Sequence, residues 1–220
     1  MLSLILESAT ERSLIAIIKN GVVLYLADLP PGLHQSHFFL PKIEEGFIQL
    51  GLNPQELQFI AVGIGPGSYT GIRVAATVGK VLSYASKIPL IGICSLEGFI
   101  PDSDGVFAVM VDARMSGAYI LKGEMTDGIV SYRSKPEICA IHDFEKKLSD
   151  VSCVIGPSLD SLRKKIELQF PELICRWLET APNPLRLDTL AREKFDAGAF
   201  SLDGSLDILY LKNSSIEKNS

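Results

Sequence analysis

At 220 residues, 47% hydrophobic and 21% charged, the chain holds enough apolar material for one large domain or two small ones packed together. Its net charge of −5 and its dispersed basic residues, paired only at sites such as Lys146-Lys147 and Lys164-Lys165, argue against a protein that carries an RNA backbone on its own basic face. No apolar run approaches the roughly 18–20 residues of a membrane-spanning helix, so no membrane role is expected.

The elements follow in chain order. Leu2–Glu7, Ser13–Ile18 and Val22–Leu26 read as strands, and the first of these, reaching an acid after six residues, reads as a strand and not as a signal peptide. Asn20-Gly21 marks a tight hairpin because both positions tolerate positive φ. A helix is expected from about His37 to Leu50, with Phe39, Ile43, Phe47 and Leu50 on one face. Asn53-Pro54-Gln55-Glu56 has the cap, first-turn proline and acid that open a short helix. Phe59–Ile64 is then a buried strand, Tyr69–Ser86 a helix and Leu90–Cys94 a strand.

The order is βββαβαβ, and it recurs. Val106–Val111, Ala118–Gly123 and Ile129–Arg133 read as strands, with Asp127-Gly128 as a turn. His142–Leu148 reads as helix, Ser152–Ile155 as strand, Leu159–Phe170 as helix and Leu173–Leu178 as strand. A three-stranded antiparallel meander feeding parallel αβ units is the ribonuclease-H-like pattern, and two copies make the architecture of actin, hexokinase and Hsp70. The expected division is a lobe at 1–100 and a second at 101–220, split at the loop cluster Pro101–Gly105. The final helix, Pro184–Ala197, and the tail from Lys212 fall in the second.

In that architecture each half contributes a turn with an acid and a glycine, where backbone N–H groups approach the phosphates of ATP because no Cβ intrudes. Here the turns are Glu7-Ser8-Ala9-Thr10 and Asp112-Ala113-Arg114-Met115-Ser116, and the strand ending near Leu178 leads into Glu179-Thr180-Ala181-Pro182. All three lack the glycine, which argues against productive ATP binding; Glu7, Thr10, Asp112 and Arg114 remain as residual cleft positions. No cofactor and no metal is expected. His34 and His37 lie at i, i+3 without a third ligand, and Cys94, Cys139, Cys153 and Cys175 are isolated thiols that read as structural cysteines of a reducing compartment.

The most distinctive stretch is Gly65-Pro66-Gly67-Ser68-Tyr69-Thr70-Gly71-Ile72-Arg73, running from a buried strand into a helix. It lacks the Gly-Lys-Ser/Thr ending of a P-loop, and its glycine gaps do not fit the dinucleotide fingerprint. Along the helix, Val74, Val78, Val81 and Ala85 form a stripe suited to the helix's own sheet. Gly71, Ala75 and Gly79 form a second row, one residue around, where another backbone could come close.

The glycine-rich motif, with Ile88–Glu97, Val111-Asp112-Ala113-Arg114-Met115 and Leu209-Tyr210-Leu211-Lys212-Asn213, resembles the TsaB family, formerly YeaZ. The resemblance implies a cytoplasmic, catalytically silent subunit needed for threonylcarbamoyladenosine formation on tRNA. Its implied partners are the transferring subunit TsaD, the ATPase TsaE through the complex, and a second copy of itself when alone; tRNA is contacted only indirectly. It also implies pairing through the helices His37–Leu50 and Tyr69–Ser86, and so assigns Phe39, Ile43, Phe47, Tyr69, Gly71, Ile72, Ala75, Gly79 and Leu82 to the partner face. The loop residues Gly65, Pro66, Gly67, Ser68, Thr70 and Arg73 are the family motif. The first turn departs from the family's common Asp-Thr-Ser/Ala-Thr. The competing reading is an ATP-dependent transferase or kinase on the same fold; a protease lacks a nucleophile–base pair.

Overall fold

Asn20 and Gly21 adopt φ of 51° and 77°, and Asp127 and Gly128 adopt 51° and 74°. Each pair closes a hairpin whose positive φ matches the twist of its flanking strands. These two hairpins begin two separate sheets in the computed structural model, which describes residues 1–29 and 35–211.

The first unit comprises Met1–Gly98 and Ala181–Leu209. Its five-stranded sheet has the order β3-β2-β1-β4-β5, from β1 (Leu2–Glu7), β2 (Ser13–Lys19), β3 (Val22–Leu29), β4 (Phe59–Gly63) and β5 (Leu90–Ile93). The meander is antiparallel, and β1, β4 and β5 run parallel, as crossover helices require. Helices α1 (Gln35–Leu50) and α2 (Tyr69–Ser86) cover one face. Between them Asn53 and Glu56 form the expected capping box around Pro54.

The second unit, Phe99–Thr180 with the residues after Leu209, repeats the order. Strands β6 (Gly105–Asp112), β7 (Ala118–Thr126) and β8 (Ile129–Tyr132) form the meander, and β10 (Cys153–Gly156) and β11 (Arg176–Glu179) extend it in parallel. Helices α3 (Phe144–Leu148) and α4 (Asp160–Gln169) complete it. The three-residue strand β9 (Glu137–Cys139), absent from the expected order, pairs with the start of β7 that β8 leaves uncovered. The last strand begins at Arg176, not Leu173. The whole is a duplicated ribonuclease-H-like fold, the class of the actin-like ATPases.

The last helix corrects the expected division. Helix α5 (Pro184–Asp196) was assigned with the second half, yet it packs on the second face of the first sheet. The reason is apolar surface: Ile5, Leu14, Phe59, Ala61, Ile91 and Ile93 point away from α1 and α2, and Leu187 and Ala191 bury them. Phe195 adds a ring 5.6 Å from Phe59. Asp188, buried in this layer, accepts from Ser3 Oγ at 2.5 Å and Arg192 Nε at 2.7 Å.

A second correction concerns the two stripes of α2, which are exchanged. Ala75 and Gly79 are buried on the helix's own sheet, and a Cβ on Gly79 would lie 2.4 Å from Val62 Cγ2. A Cβ on Gly71 would lie 1.8 Å from the Ser8 carbonyl oxygen. The small residues therefore let α2 approach its own strands. Val74 and Val78 sit at the margin of that core, and Val81 is 61% exposed. Gly79→Leu is expected to destabilise the isolated chain by about 1–3 kcal/mol through overpacking, and Gly71→Ala to do so as well because backbone must move. Urea unfolding of both variants measures it.

Candidate functional site

The glycine-rich loop is built on a close approach to the first turn. Ser68 caps α2, its Oγ accepting from Gly71 N–H at 3.2 Å. The N–H of Ser68 donates to Ala9 O at 2.6 Å, and Ser8 Oγ donates to Gly71 O at 2.6 Å. A Cβ on Gly67 would lie 2.1 Å from Ala9 O. Where a phosphate loop presents open N–H groups to an anion, here the Ser68 N–H is given to the chain's own Ala9 carbonyl and the Gly71 N–H to the Ser68 cap. The motif residues thus have structural roles: Gly67 and Gly71 permit the contact, Ser68 caps, and Arg73 stacks over Tyr69 at 3.9 Å from the ring centre. Thr70 faces outward beside them.

The residual cleft positions behave differently in the two units. Glu7 is fully buried at the end of β1. Its Oε1 accepts from Ala9 N–H at 2.6 Å, whereas its buried Oε2 has no protein hydrogen-bond partner. Burial raises its pKa to about 7, against the opposing hydrogen bonds from Ala9, Ser95 and Ser8. The carboxylate lies across Gly63, where a Cβ would be 1.9 Å from Oε2. Thr10 Oγ1 accepts from Arg12 N–H at 3.3 Å within the same turn.

In the second unit Asp112 Oδ1 caps its own turn, accepting from Arg114 N–H at 2.7 Å, with Lys165 Nζ 3.9 Å from the other oxygen. Arg114 has a φ of 61° in that turn. Cys94, Cys139 and Cys153 are buried and Cys175 is half-buried; burial pushes the Cys94 thiol up to about 12 and those of Cys139 and Cys175 to about 11. Among the described residues, no cluster of three or more His, Cys, Asp or Glu could hold a metal ion, and no helix is long and apolar enough to cross a membrane. His34 and the tail from Lys212 lie outside the described residues.

Of the residues assigned to a partner face, Phe39, Ile72, Ala75 and Gly79 are buried within the first unit, for the packing reason given above. Gly71 lies against Ser8. Ile43 and Phe47 are largely buried yet line a groove together with Leu82, and Tyr69, 55% exposed, lines another. The outer side of α1 and α2 adds further residues to these four. One groove of about 390 Å³ is lined by Leu40, Tyr69, Arg73, Val74 and Val78, with Thr70 and Thr77. A second, of about 520 Å³, shares Leu40 and runs past Ile48, Leu52 and Leu82. Leu40 is 56% and Ile48 72% exposed. Sequence periodicity found the two helices but chose the inner face; the exposed valines were the signal for the outer one.

Two units with the same order of strands and helices define a protein of the duplicated ribonuclease-H-like class. The model of the TsaD family, tRNA N6-adenosine threonylcarbamoyltransferase, matches residues 33–194. The chain is 34% identical over 181 residues to the tRNA threonylcarbamoyladenosine biosynthesis protein TsaB of Buchnera aphidicola from Acyrthosiphon pisum, covering 78% of this chain and 70% of that one. With Escherichia coli TsaB it shares 28% identity over 168 residues, 70% of each chain. A crystal structure of a Pseudomonas aeruginosa protein with similarity to the peptidase YeaZ superposes with a TM-score of 0.77 at 20% identity, covering 96% of this chain and 99% of that chain. The chain belongs to the TsaB (YeaZ) family, within the broader family that includes TsaD.

The raised pKa of Glu7 has a stability consequence. Because its folded value lies above its unfolded one, the contribution is fully present below about pH 4.5 and is lost as the pH rises through about 7. Wild type is expected to lose roughly 3 kcal/mol relative to Glu7→Gln across that window, at 1.36 kcal/mol per pKa unit. Urea unfolding of both proteins at pH 5 and pH 8 checks it.

Proposed function

We propose that this chain serves tRNA threonylcarbamoyladenosine biosynthesis as a non-catalytic subunit that binds and activates TsaD through the outer faces of α1 and α2. The observation that carries the reading is the pair of apolar grooves on these helices, which share Leu40 and have Ile48, Val74 and Val78 in their walls, with Val81 exposed on α2. A monomeric surface seldom keeps such a strip bare, and family membership supplies the partner. TsaE then acts on the assembled complex, and tRNA is met indirectly. A second copy would use the same face when TsaD is absent, since one apolar surface serves either partner.

Two features support catalytic silence. The Ser8-Ala9 backbone fills the approach to the α2 N-terminus, and the Glu7 carboxyl is buried. Tight ATP binding with turnover, seen by calorimetry on the isolated chain with magnesium, would overturn that part of the reading.

Leu40→Asp and Val81→Asp are expected to leave the chain folded, because both side chains face solvent in the isolated protein. Each is expected to weaken co-purification with TsaD by at least about tenfold, the equivalent of about 1.4 kcal/mol. Circular dichroism confirms the fold and titration calorimetry reads the affinity. A complex of unchanged affinity sinks this docking face.

A further inference from the structure

We propose that the Glu7 carboxyl is a proton-operated latch: neutral, it ties the first turn to the glycine-rich loop and the start of α2; ionised, it releases them. The connections run through named groups. Oε1 takes the Ala9 N–H at 2.6 Å, and the Ser95 hydroxyl also hydrogen-bonds the carboxyl. Ser95 Oγ in turn accepts from Gly65 N–H at 3.1 Å, and Ser95 N–H donates to Gly65 O at 2.9 Å. Ala9 O holds the Ser68 N–H, the cap of α2, at 2.6 Å. One carboxyl therefore joins three segments far apart in sequence.

The other oxygen decides the switch. Oε2 lies buried against the Gly63 backbone without a protein donor. A neutral carboxyl tolerates that position at modest cost, whereas a carboxylate there is a desolvated charge with half its hydrogen-bonding capacity unmet.

The hydrogen bonds from Ala9, Ser95 and Ser8 favour the charge, but burial outweighs them. The first turn presents Ser8, Ala9 and Thr10, all neutral, and β4 presents Gly63. The segment after β5 presents Cys94, and past it Glu97, both of which add negative charge when ionised. Lys194 and Arg186 of α5 act on Glu97, while the influences on Glu7 are burial and the hydrogen bonds from Ala9, Ser95 and Ser8. The titration of Cys94 lies apart from this one, since its thiol is pushed up to about 12. Ionisation of Glu7 is relieved most directly by moving the first turn so that Oε2 reaches water. That movement breaks the Ala9–Ser68 bond and frees the first turn of α2, which carries Tyr69 and Arg73.

The latch itself rests on the first unit alone; only its consequence for a partner rests on the docking face proposed above. The test is hydrogen exchange on the full isolated chain, wild type and Glu7→Gln, between pH 6 and pH 8.5, with rates corrected for intrinsic chemistry. Protection of residues 8–10 and 65–71 is expected to fall about tenfold in wild type, as release of one proton dictates, and to stay level in Glu7→Gln. Strands β6 and β7 serve as the internal reference. Equal slopes in the two proteins overturn the latch. Should Glu7→Gln not fold, carbon-13 NMR of the wild-type Glu7 carboxyl decides instead: a titration midpoint near neutrality supports the latch, and one below pH 5 overturns it. Loss of TsaD binding in the Leu40 and Val81 variants would leave either result unchanged.

Discussion

The first unit depends on how closely α2 is seated on β4 and on the first turn. No side chain fits at Gly71 without displacing the Ser8 carbonyl, and none fits at Gly79 without displacing Val62. A helix of ordinary residues would stand off its sheet by the length of a side chain; here the separation collapses to backbone contact. Three consequences follow from that one distance. The Ser8-Ala9 backbone enters the space in front of the helix, where Ala9 O takes the Ser68 N–H and Ser68 Oγ the Gly71 N–H. The valines cannot sit where Gly71, Ala75 and Gly79 approach the sheet, so Val74 and Val78 lie at the margin of the core and Val81 at the surface. And α1, packed alongside, continues the apolar surface that those valines begin.

The same distance explains what was and was not legible in the sequence. Element order was legible because each strand and helix carries its own local signal: the Asn20-Gly21 and Asp127-Gly128 hairpins, the Asn53 capping box and the alternation of the buried strands all appear where the residues place them. The face of α2 was not. Hydrophobicity alone favours the valine row as the inner one, and only the volume available above Val62 reverses the choice. Helix α5 was misplaced for a related reason. Its pattern shows that it has an apolar side, but not that the uncovered layer of Phe59 and Ile91 lies in the first sheet, more than ninety residues away in sequence. Strand β9 carries too few residues to show a period; it exists because β7 is long and β8 covers only its end.

The candidate site was legible in outline. The missing glycines drew attention to both turns, and the Glu7 substitution within the first was visible as a departure from the family's aspartate. What could not be read was the company that Glu7 keeps, since Ser95 and Gly63 reach it only through the parallel pairing of β1 with β4 and the loop after β5. The same pairing sets Gly63 beside the carboxyl, and only glycine leaves room for it.

Comparing the two turns separates ancestry from present role. Glu7 and Asp112 occupy equivalent places at the end of the first strand of their units, yet their surroundings differ. Glu7 is buried, and desolvation outweighs its hydrogen bonds, so the neutral form gains. Asp112 is only partly covered, accepts a backbone N–H from its own turn and has Lys165 within 3.9 Å. An ATP-binding pair of turns must keep both acids ionised and both backbones open to phosphate oxygens. In the first turn Glu7 is buried and its pKa is raised to about 7, and in the second the acid is engaged in closing the turn itself. The duplicated order survives because the sheets need it for burial, and nothing in that need constrains the turns, which are where the two units have parted.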